Sequence, residues 1–212
     1  VDAAMAHLNL VKIHPFRDGN GRMSRILQTA VLAQEEVLEP PFASIEEWLG
    51  DNTQDYHRAI QATSGPRPNP EHSADLWVKF NLRAHHLQAQ THLRRFEEAQ
   101  QVFLRLTEAA ETSGLPDRVV DPLYEAHLGF TLTRHDYARL SLTEARTATR
   151  DLALLVQAGC LVATGTTKSR IYGPGPVVAQ LKDQIAAGRG PLADPYPGLL
   201  GDIAAREAAV SP

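Results

Sequence analysis

Apolar residues recur at helical spacing near the start of the chain. Over residues 2–13 they return every three or four positions, which predicts an amphipathic helix. His14-Pro15 ends this helix, because a residue before proline avoids the α-helical region and proline has no amide donor. The turn-forming run 18–21, Asp-Gly-Asn-Gly, follows, and helical periodicity returns over 22–36. The predicted order is helix, glycine-bearing loop, helix.

Helical periodicity also dominates the middle of the chain. Pro40-Pro41 interrupts it, and short helices are predicted over 44–50 and 52–63. The proline-rich stretch 64–70 predicts a loop. A long helix is expected over 73–113, broken once because about 40 residues is long for a globular helix.

A different pattern begins after the boundary Gly-Leu-Pro at 114–116. Helices are predicted over 133–139 and 141–157, and the second begins with the capping-box sequence Ser-Leu-Thr-Glu. Two β-prone runs, 161–164 and 170–172, follow and flank a glycine-bearing turn. The order helix, helix, short hairpin is typical of a winged helix-turn-helix module.

These patterns predict a mainly α protein in three parts. A helical core is expected over 1–113, a winged-helix module with a short β-hairpin over 114–176, and a partly flexible helix and tail over 177–212. The tail from Gly188 is rich in Gly, Pro and Ala, which favours poor packing. A helix that begins at the first residue predicts that the natural chain extends further towards its N-terminus.

Composition narrows the candidate partners and compartment. The chain has 212 residues, a net charge of −4 and a pI of about 6.1, so its overall charge gives no signal for nucleic acid or anionic membrane. The single cysteine, Cys160, lies in an apolar stretch and is expected to be a buried hydrophobe in a cytoplasmic protein. No apolar run reaches the roughly 18 residues of a membrane helix, and no signal-peptide pattern opens the chain.

The run from His14 to Arg22, HPFRDGNGR, has the chemistry of a nucleotide site. A loop that enters a helix N-terminus offers free amides to phosphate, and its glycines allow close approach. Asp18 can hold Mg²⁺ that bridges phosphates, and Arg22 can grip a phosphate. His14 can take a proton from an attacking hydroxyl, and Phe16 is expected to anchor the loop in the core.

The same nine residues resemble the signature of the Fic family, HPFxxGNGR with an acidic residue at the second variable place. The flanking helices are similar too, and the likeness covers roughly residues 1–110. The resemblance implies a helical Fic core that transfers AMP from Mg·ATP to a Ser, Thr or Tyr hydroxyl of a target protein. It implies His14 and Arg22 as catalytic residues and Asp18 as the Mg²⁺ ligand. It further implies nucleotide contacts from Phe16, Gly19, Asn20, Gly21, Arg22 and Tyr56.

Three alternatives remain open for this segment. The run could be a plain Gly-Asn turn with an incidental histidine. It could belong to a DNA-associated regulator that binds nucleotide without transferring it. It could also transfer another phosphate-bearing group, although Gly21 favours AMP over phosphate, because phosphate-transferring relatives usually have Lys there.

Two features of the family are missing from these residues. Nothing before His14 is long enough for the β-hairpin flap that docks the target segment. The self-inhibitory pattern Ser/Thr-x-x-x-Glu-Gly/Asn does not occur. An inhibitory helix is therefore expected in missing N-terminal sequence or in a separate, antitoxin-like partner protein. A homodimer is a further possible assembly.

The predicted winged-helix module has a candidate DNA surface. Five basic residues stand against three acidic residues over 135–172, a mild excess for a DNA-binding module. Protein–protein or intramolecular use of the module is the alternative. The candidate DNA contacts are Thr143, Arg146, Thr147, Arg150, Lys168 and Arg170.

Histidines outside the motif predict no metal site. His7 is expected to pack or to face solvent. His85 and His86 are adjacent, so they point apart on a helix and are expected at the surface. No Cys/His set has the spacing of a zinc site.

Overall fold

The computed structural model describes residues 1–34, 44–64, 73–166 and 169–210, and the chain divides into two compact units. The first unit comprises 1–93 and 192–212, and the second comprises 94–191. This division differs from the predicted ranges 1–113, 114–176 and 177–212. The predicted break at Pro40-Pro41, most of the predicted loop 64–70 and Lys168 lie outside the described residues.

The described residues are mainly helical with one two-stranded antiparallel sheet, which confirms the predicted fold class. A 3₁₀ turn, Asp117–Val119, leads into the helix that begins at Val120. Within the described residues, none of the helices combines the length and apolar character needed to cross a lipid bilayer. The elements are α1 Asp2–Ile13, α2 Asn20–Gln34, α3 Glu46–Asp51, α4 Thr53–Ser64, α5 Asp75–Thr112, α6 Val120–His127, α7 Arg134–Leu140, α8 Ala145–Gln157, β1 Leu161–Thr164, β2 Ile171–Pro174, α9 Pro176–Ala187 and α10 Leu199–Val210.

The apolar core of the first unit is formed by α1, α3, α4, the start of α5 and α10. Leu8, Trp77 and Phe80 are at most 1% exposed there. The Trp77 indole N–H donates to the Ala4 carbonyl over 2.6 Å, so its one polar group is satisfied inside the core. This bond and the apolar packing fix α1, and with it the loop that follows, against α5.

The long helix α5 is continuous over 38 residues, so the predicted break within 73–113 is wrong. Its early apolar residues, such as Phe80 and Leu87, belong to the core of the first unit. Its later ones, Val102 and Leu106, belong to the core of the second unit. Since most helical stability in proteins comes from packing of an apolar face, two cores can support one helix of this length.

The C-terminal segment is more ordered than its composition predicts. Helix α10 buries Leu199 and Ile203, one turn apart, in the core of the first unit. Glu207 accepts a 2.9 Å hydrogen bond from Arg58 of α4, and Asp194 pairs with Arg83 of α5 at 2.9 Å. The prediction relied on the Gly, Pro and Ala content and overlooked these two apolar residues, whose helical spacing places both in the core.

The second unit contains the predicted helix, helix and hairpin. Thr133, where the helix predicted over 133–139 begins, caps α7 through the reciprocal bonds of a capping box with Asp136. The capping box predicted at the start of 141–157 is wrong, because α8 begins at Ala145 and the Ser141 hydroxyl donates to the Tyr137 carbonyl instead. Leu142 adopts a left-handed φ of 49°, which lengthens the turn before α8.

The hairpin of the second unit is extended by a third backbone segment. β1 pairs with β2 from Leu161 opposite Pro174 to Thr164 opposite Ile171. Leu132, just before α7, exchanges two 2.8 Å backbone hydrogen bonds with Tyr172. This bridge joins the start of α7 to β2, which therefore lies between β1 and the segment at Leu132.

Candidate functional site

The loop between α1 and α2 begins at His14, which ends α1 in a left-handed conformation with φ 50° and ψ 53°. Its amide N–H donates to the Leu10 carbonyl over 3.0 Å, so the helix is closed at this residue. A left-handed conformation costs a non-glycine residue roughly 1–2 kcal/mol, and Pro15 prevents the helix from continuing. The exposed His14 side chain therefore sits at a sharp change of chain direction.

Asn20 closes the loop on itself. Its Oδ1 accepts from the Phe16 amide over 2.9 Å, and its Nδ2 donates to the Phe16 carbonyl over 2.6 Å. Asn20 is 4% exposed, so both bonds are shielded from water. Gly19 allows the required turn with a φ of +87°, a conformation that side chains disfavour. Asn20 therefore clamps the loop through the Phe16 backbone, and this role does not depend on a bound ligand.

Phe16 does not anchor the loop in the core, so that expectation is wrong. Its side chain is 44% exposed. The two hydrogen bonds from Asn20 hold the loop by its backbone and make burial of this ring unnecessary.

The start of α2 leaves backbone amides outside the helical ladder. The first helical bond runs from the Met23 amide to the Gly19 carbonyl at 2.9 Å, so the amides of residues 20–22 precede it. Gly21, in the first turn, lines the cleft beside the loop, and a Cβ there would lie 3.4 Å from an Arg25 guanidinium nitrogen. Amides at the positive end of a 15-residue helix suit phosphate.

Asp18 and Arg22 lie at the exposed edge of the loop. Asp18 Oδ1 accepts from the Gly19 amide over 2.7 Å, and its Oδ2 lies 3.4 Å from Arg22 Nη2. The side chains are 93% and 71% exposed, so this pair is easily exchanged for another partner.

The donor set suits a Mg²⁺ that arrives with phosphate. Mg²⁺ is usually held by one or two carboxylates together with substrate phosphate oxygens, and Asp18 offers one exposed carboxylate. The residues that the structure describes contain no group of three or more His, Cys, Asp or Glu side chains able to hold a metal alone.

A cleft of about 430 Å³ opens beside the loop. Its volume lies within the range of about 300–1,000 Å³ that ligand pockets span. The loop and α2 supply its polar side, and α3 and α4 supply much of the remainder. Of the predicted site residues, the cleft is lined by His14, Asn20, Gly21 and Tyr56.

Three ionisable side chains that line the cleft were not predicted as site residues from the sequence. Arg25 Nε donates to Glu46 Oε1 over 2.7 Å, which joins α2 to the first turn of α3, and the exposed His57 follows Tyr56 on α4. Arg25 lies one turn after Gly21, so helical spacing could have indicated it. Glu46 and His57 come from other helices, and no local pattern points to them.

Tyr56 reaches the cleft as a buried residue. It is 6% exposed, and its hydroxyl lies 3.0 Å from Nε2 of His7. Its ring centroid lies 6.0 Å from that of Trp77, within the apolar core. The predicted contact between Tyr56 and adenine stays a prediction, and most of this ring is covered by protein.

His7 is fully buried and hydrogen-bonded at both ring nitrogens. Burial lowers its pKa to about 4, and Gln28, which accepts from Nδ1, only partly offsets this effect. His85 is half-buried, not exposed at the surface as the sequence predicted. Its ring accepts from the Gln28 amide, and burial lowers its pKa. His86, its neighbour, is exposed as expected.

The second unit presents arginines on its predicted DNA surface. Arg146 and Arg150 lie one turn apart on α8 and are exposed, as is Arg170 before β2. Thr143 and Thr147 are half-buried near the start of the same helix. The structure therefore brings the α8 residues onto neighbouring turns; Lys168 lies outside the described residues.

One of the acidic residues counted against DNA binding is internal. Asp151 is 1% exposed and accepts from Arg118 at 2.7 and 3.0 Å and from the Tyr137 hydroxyl at 3.2 Å. Burial, together with the Asp151 carboxylate, raises the pKa of Tyr137, which keeps its proton as donor. Of the three acidic residues counted over 135–172, Asp151 therefore does not face outward.

Comparison with known proteins places the motif in a family context. Residues 1–32 match the family model described as Fic/DOC family. Two relatives named "Protein adenylyltransferase Fic", from Aedes aegypti and Culex quinquefasciatus, are each 67% identical to this chain over 30 residues. The matched region covers 14% of this chain and 6% of each relative. The resemblance of the N-terminal segment to the Fic/DOC family is confirmed, over this short segment.

Proposed function

We propose that this chain contributes to the transfer of AMP from Mg·ATP to a hydroxyl group of a target protein. The observation that carries the proposal is the clamped loop that joins His14 to the open N-terminus of α2 beside a ligand-sized cleft. The relatives named protein adenylyltransferase support the same chemistry, although the match is confined to 30 residues.

His14 is the proposed general base. Its imidazole is exposed at the cleft, at the end of the loop opposite α2. The target hydroxyl oxygen forms a bond to the α-phosphorus as the bond from that phosphorus to the β-phosphate oxygen breaks. Pyrophosphate leaves, and the hydroxyl proton passes to His14.

The start of α2 is the proposed phosphate cradle. The amides of residues 20–22, which precede the first helical bond, and Gly21 at the cleft wall allow phosphate oxygens to approach the helix end. Arg22 can leave its weak contact with Asp18 to grip the terminal phosphates, and Asp18 is then available to Mg²⁺. When bound, the ion would neutralise phosphate charge.

The decisive experiment incubates the protein with α-labelled ATP, Mg²⁺ and a cell lysate. We expect label on a protein band, and we expect His14→Ala to lower it by about 10²- to 10⁴-fold while ATP affinity changes only a few-fold. The matched control is His86→Ala, which removes an exposed histidine outside the cleft. Equal labelling by His14→Ala and wild type would refute the general-base assignment.

A DNA-associated regulator is the second candidate, and it rests on the second unit. The order of α7, α8 and the hairpin is that of a winged helix-turn-helix. Exposed Arg146, Arg150 and Arg170 suit phosphate contacts, and Asp151 is neutralised by Arg118 inside the unit. In this case nucleotide bound at the first unit would act as a signal without being transferred.

A further inference from the structure

Four side chains from four helices of the first unit form a continuous chain of hydrogen bonds. The Tyr56 hydroxyl lies 3.0 Å from His7 Nε2, and His7 Nδ1 lies 2.6 Å from Gln28 Oε1. Gln28 Nε2 continues the chain to His85 Nε2 at 2.8 Å. The chain therefore joins α4, α1, α2 and α5, and the proposed chemistry at His14 uses none of its bonds.

The bonding partners fix the direction of every hydrogen bond. The Gln28 amide nitrogen can only donate, so His85 Nε2 accepts. The Gln28 carbonyl oxygen can only accept, so His7 carries its proton on Nδ1. A neutral His7 then has a free lone pair on Nε2, and the Tyr56 hydroxyl donates to it. In this arrangement each polar atom on the path has a partner.

The chain ends at the wall of the cleft. Tyr56 is its terminal residue and lines the cleft together with Gly21. Burial raises the pKa of the Tyr56 phenol, while the nearby Ser24 and Arg25 side chains act against this rise. Ser24 itself donates to the Gly21 carbonyl over 2.8 Å. The phenol is therefore bonded to His7 and shares the cleft wall with Gly21 of the first turn of α2.

Few charged groups act on His7 from the helices around it. Arg25 of α2 disfavours its protonated form and Glu46 of α3 favours it, but these two residues are bonded to each other. Tyr56 of α4 and the neutral His85 of α5 are the other titratable groups in this chain of hydrogen bonds. Trp77 of α5 packs edge-on against the imidazole at 5.0 Å between centroids.

We propose that His7 is a positioning residue, which sets the place of Tyr56 in the cleft wall relative to the start of α2 and thereby controls the affinity for nucleotide. This inference rests on the proposed nucleotide site. His7 is fully buried and does not reach the reacting atoms, so it acts through its bonding partners, of which Tyr56 lines the cleft. Binding should therefore depend on His7, and the chemical step should not.

The test replaces His7 with Phe, which keeps a ring in the core but cannot accept from Tyr56. A buried hydroxyl without its partner favours a displaced Tyr56, and we expect the Kd for ATP to rise about tenfold. ATP affinity is measured by calorimetry on the full chain, at a temperature where circular dichroism shows each variant to be folded. The rate of transfer at saturating ATP should stay within about threefold of wild type.

Tyr56→Phe and the double variant show whether His7 acts through the phenol. If it does, His7→Phe/Tyr56→Phe binds ATP no more weakly than His7→Phe alone, because the bond is already lost. Losses that multiply would mean independent effects and would overturn the proposal. His86→Phe is the matched control, an exposed histidine for which affinity should not change.

Two further outcomes separate this inference from the proposed function. If His7→Phe lowers only the midpoint of unfolding and leaves the Kd for ATP unchanged, His7 is structural and the inference is overturned alone. If the wild-type chain binds no ATP, the proposed function fails and the inference fails with it. Nitrogen NMR of the His7 ring gives an independent check, since Nδ1 must carry the proton and Nε2 must not.

Discussion

Each unit of the molecule buries a small polar cluster, and the two clusters differ in charge and in location. The first unit buries the neutral set His7, Tyr56 and Gln28 at the edge of a cleft. The second unit buries the charged Asp151, neutralised by Arg118. The charged cluster locks helices together in the interior. The neutral cluster costs less to bury and adjoins the surface where a ligand can bind.

The charged cluster should give the largest loss of stability when it is broken. Asp151→Ala leaves the Tyr137 hydroxyl without its buried partner and Arg118 without its ion pair, so the free energy of unfolding of the second unit should fall by about 3 kcal/mol. Hydrogen exchange of the α8 amides measures this change. Asp183→Ala, at an exposed carboxylate of the same unit, should change it by less than about 0.5 kcal/mol. Equal effects would show that the buried ion pair contributes little.

The neutral cluster should make the first unit sensitive to acid. The pKa of His7 is about 4 in the folded chain against an ordinary 6.5, so between these values only the unfolded chain binds the proton. Stability is therefore complete above about pH 6.5 and falls as the pH drops, by about 2 kcal/mol at pH 5. Burial lowers the pKa of His85 too, which adds to the effect in the same direction.

Tryptophan fluorescence in urea can follow this acid effect, because Trp48 and Trp77, the two tryptophans of the chain, both lie in the core of the first unit. His7→Phe should flatten the dependence between pH 7 and pH 5. A dependence that is unchanged in this variant would assign it to other groups.

The smallest effects are expected at the surface of the second unit. If α8 contacts DNA phosphates, Arg146→Gln and Arg150→Gln should each weaken binding a few-fold and lower the slope of log K against log salt by about 1. Fluorescence anisotropy with a labelled duplex measures both quantities. Glu108→Gln, on α5 of the same unit, serves as a surface control. Absence of binding to duplex at low salt would leave the module a protein-interaction role.

Local patterns predicted the parts of the fold whose causes are local. Pro15 and the glycines predicted the position of the loop. Thr133 predicted the start of α7, where it forms a capping box with Asp136. At Ser141 the same capping-box pattern failed, because the turn that Leu142 makes moves the helix start to Ala145. A capping sequence states which bonds are available, and the path of the chain decides whether they form.

Apart from Tyr56, the candidate site was predictable only along the motif. Asn20 was identified as a site residue, but its clamp on Phe16 depends on the fold of the loop. The bonds of His7 to Gln28 and to Tyr56 join residues 21 and 49 positions apart, and no periodic pattern encodes such separations. For this reason the sequence located the loop correctly but missed the buried polar chain behind it.

The Asn20 clamp has a consequence for how this site can arise. Both of its bonds join residues only four positions apart, so closing the loop costs little chain entropy. The loop can take its shape as soon as the first turn of α2 forms, with little help from distant parts of the chain. A site of this kind takes most of its local shape from its own short segment of chain.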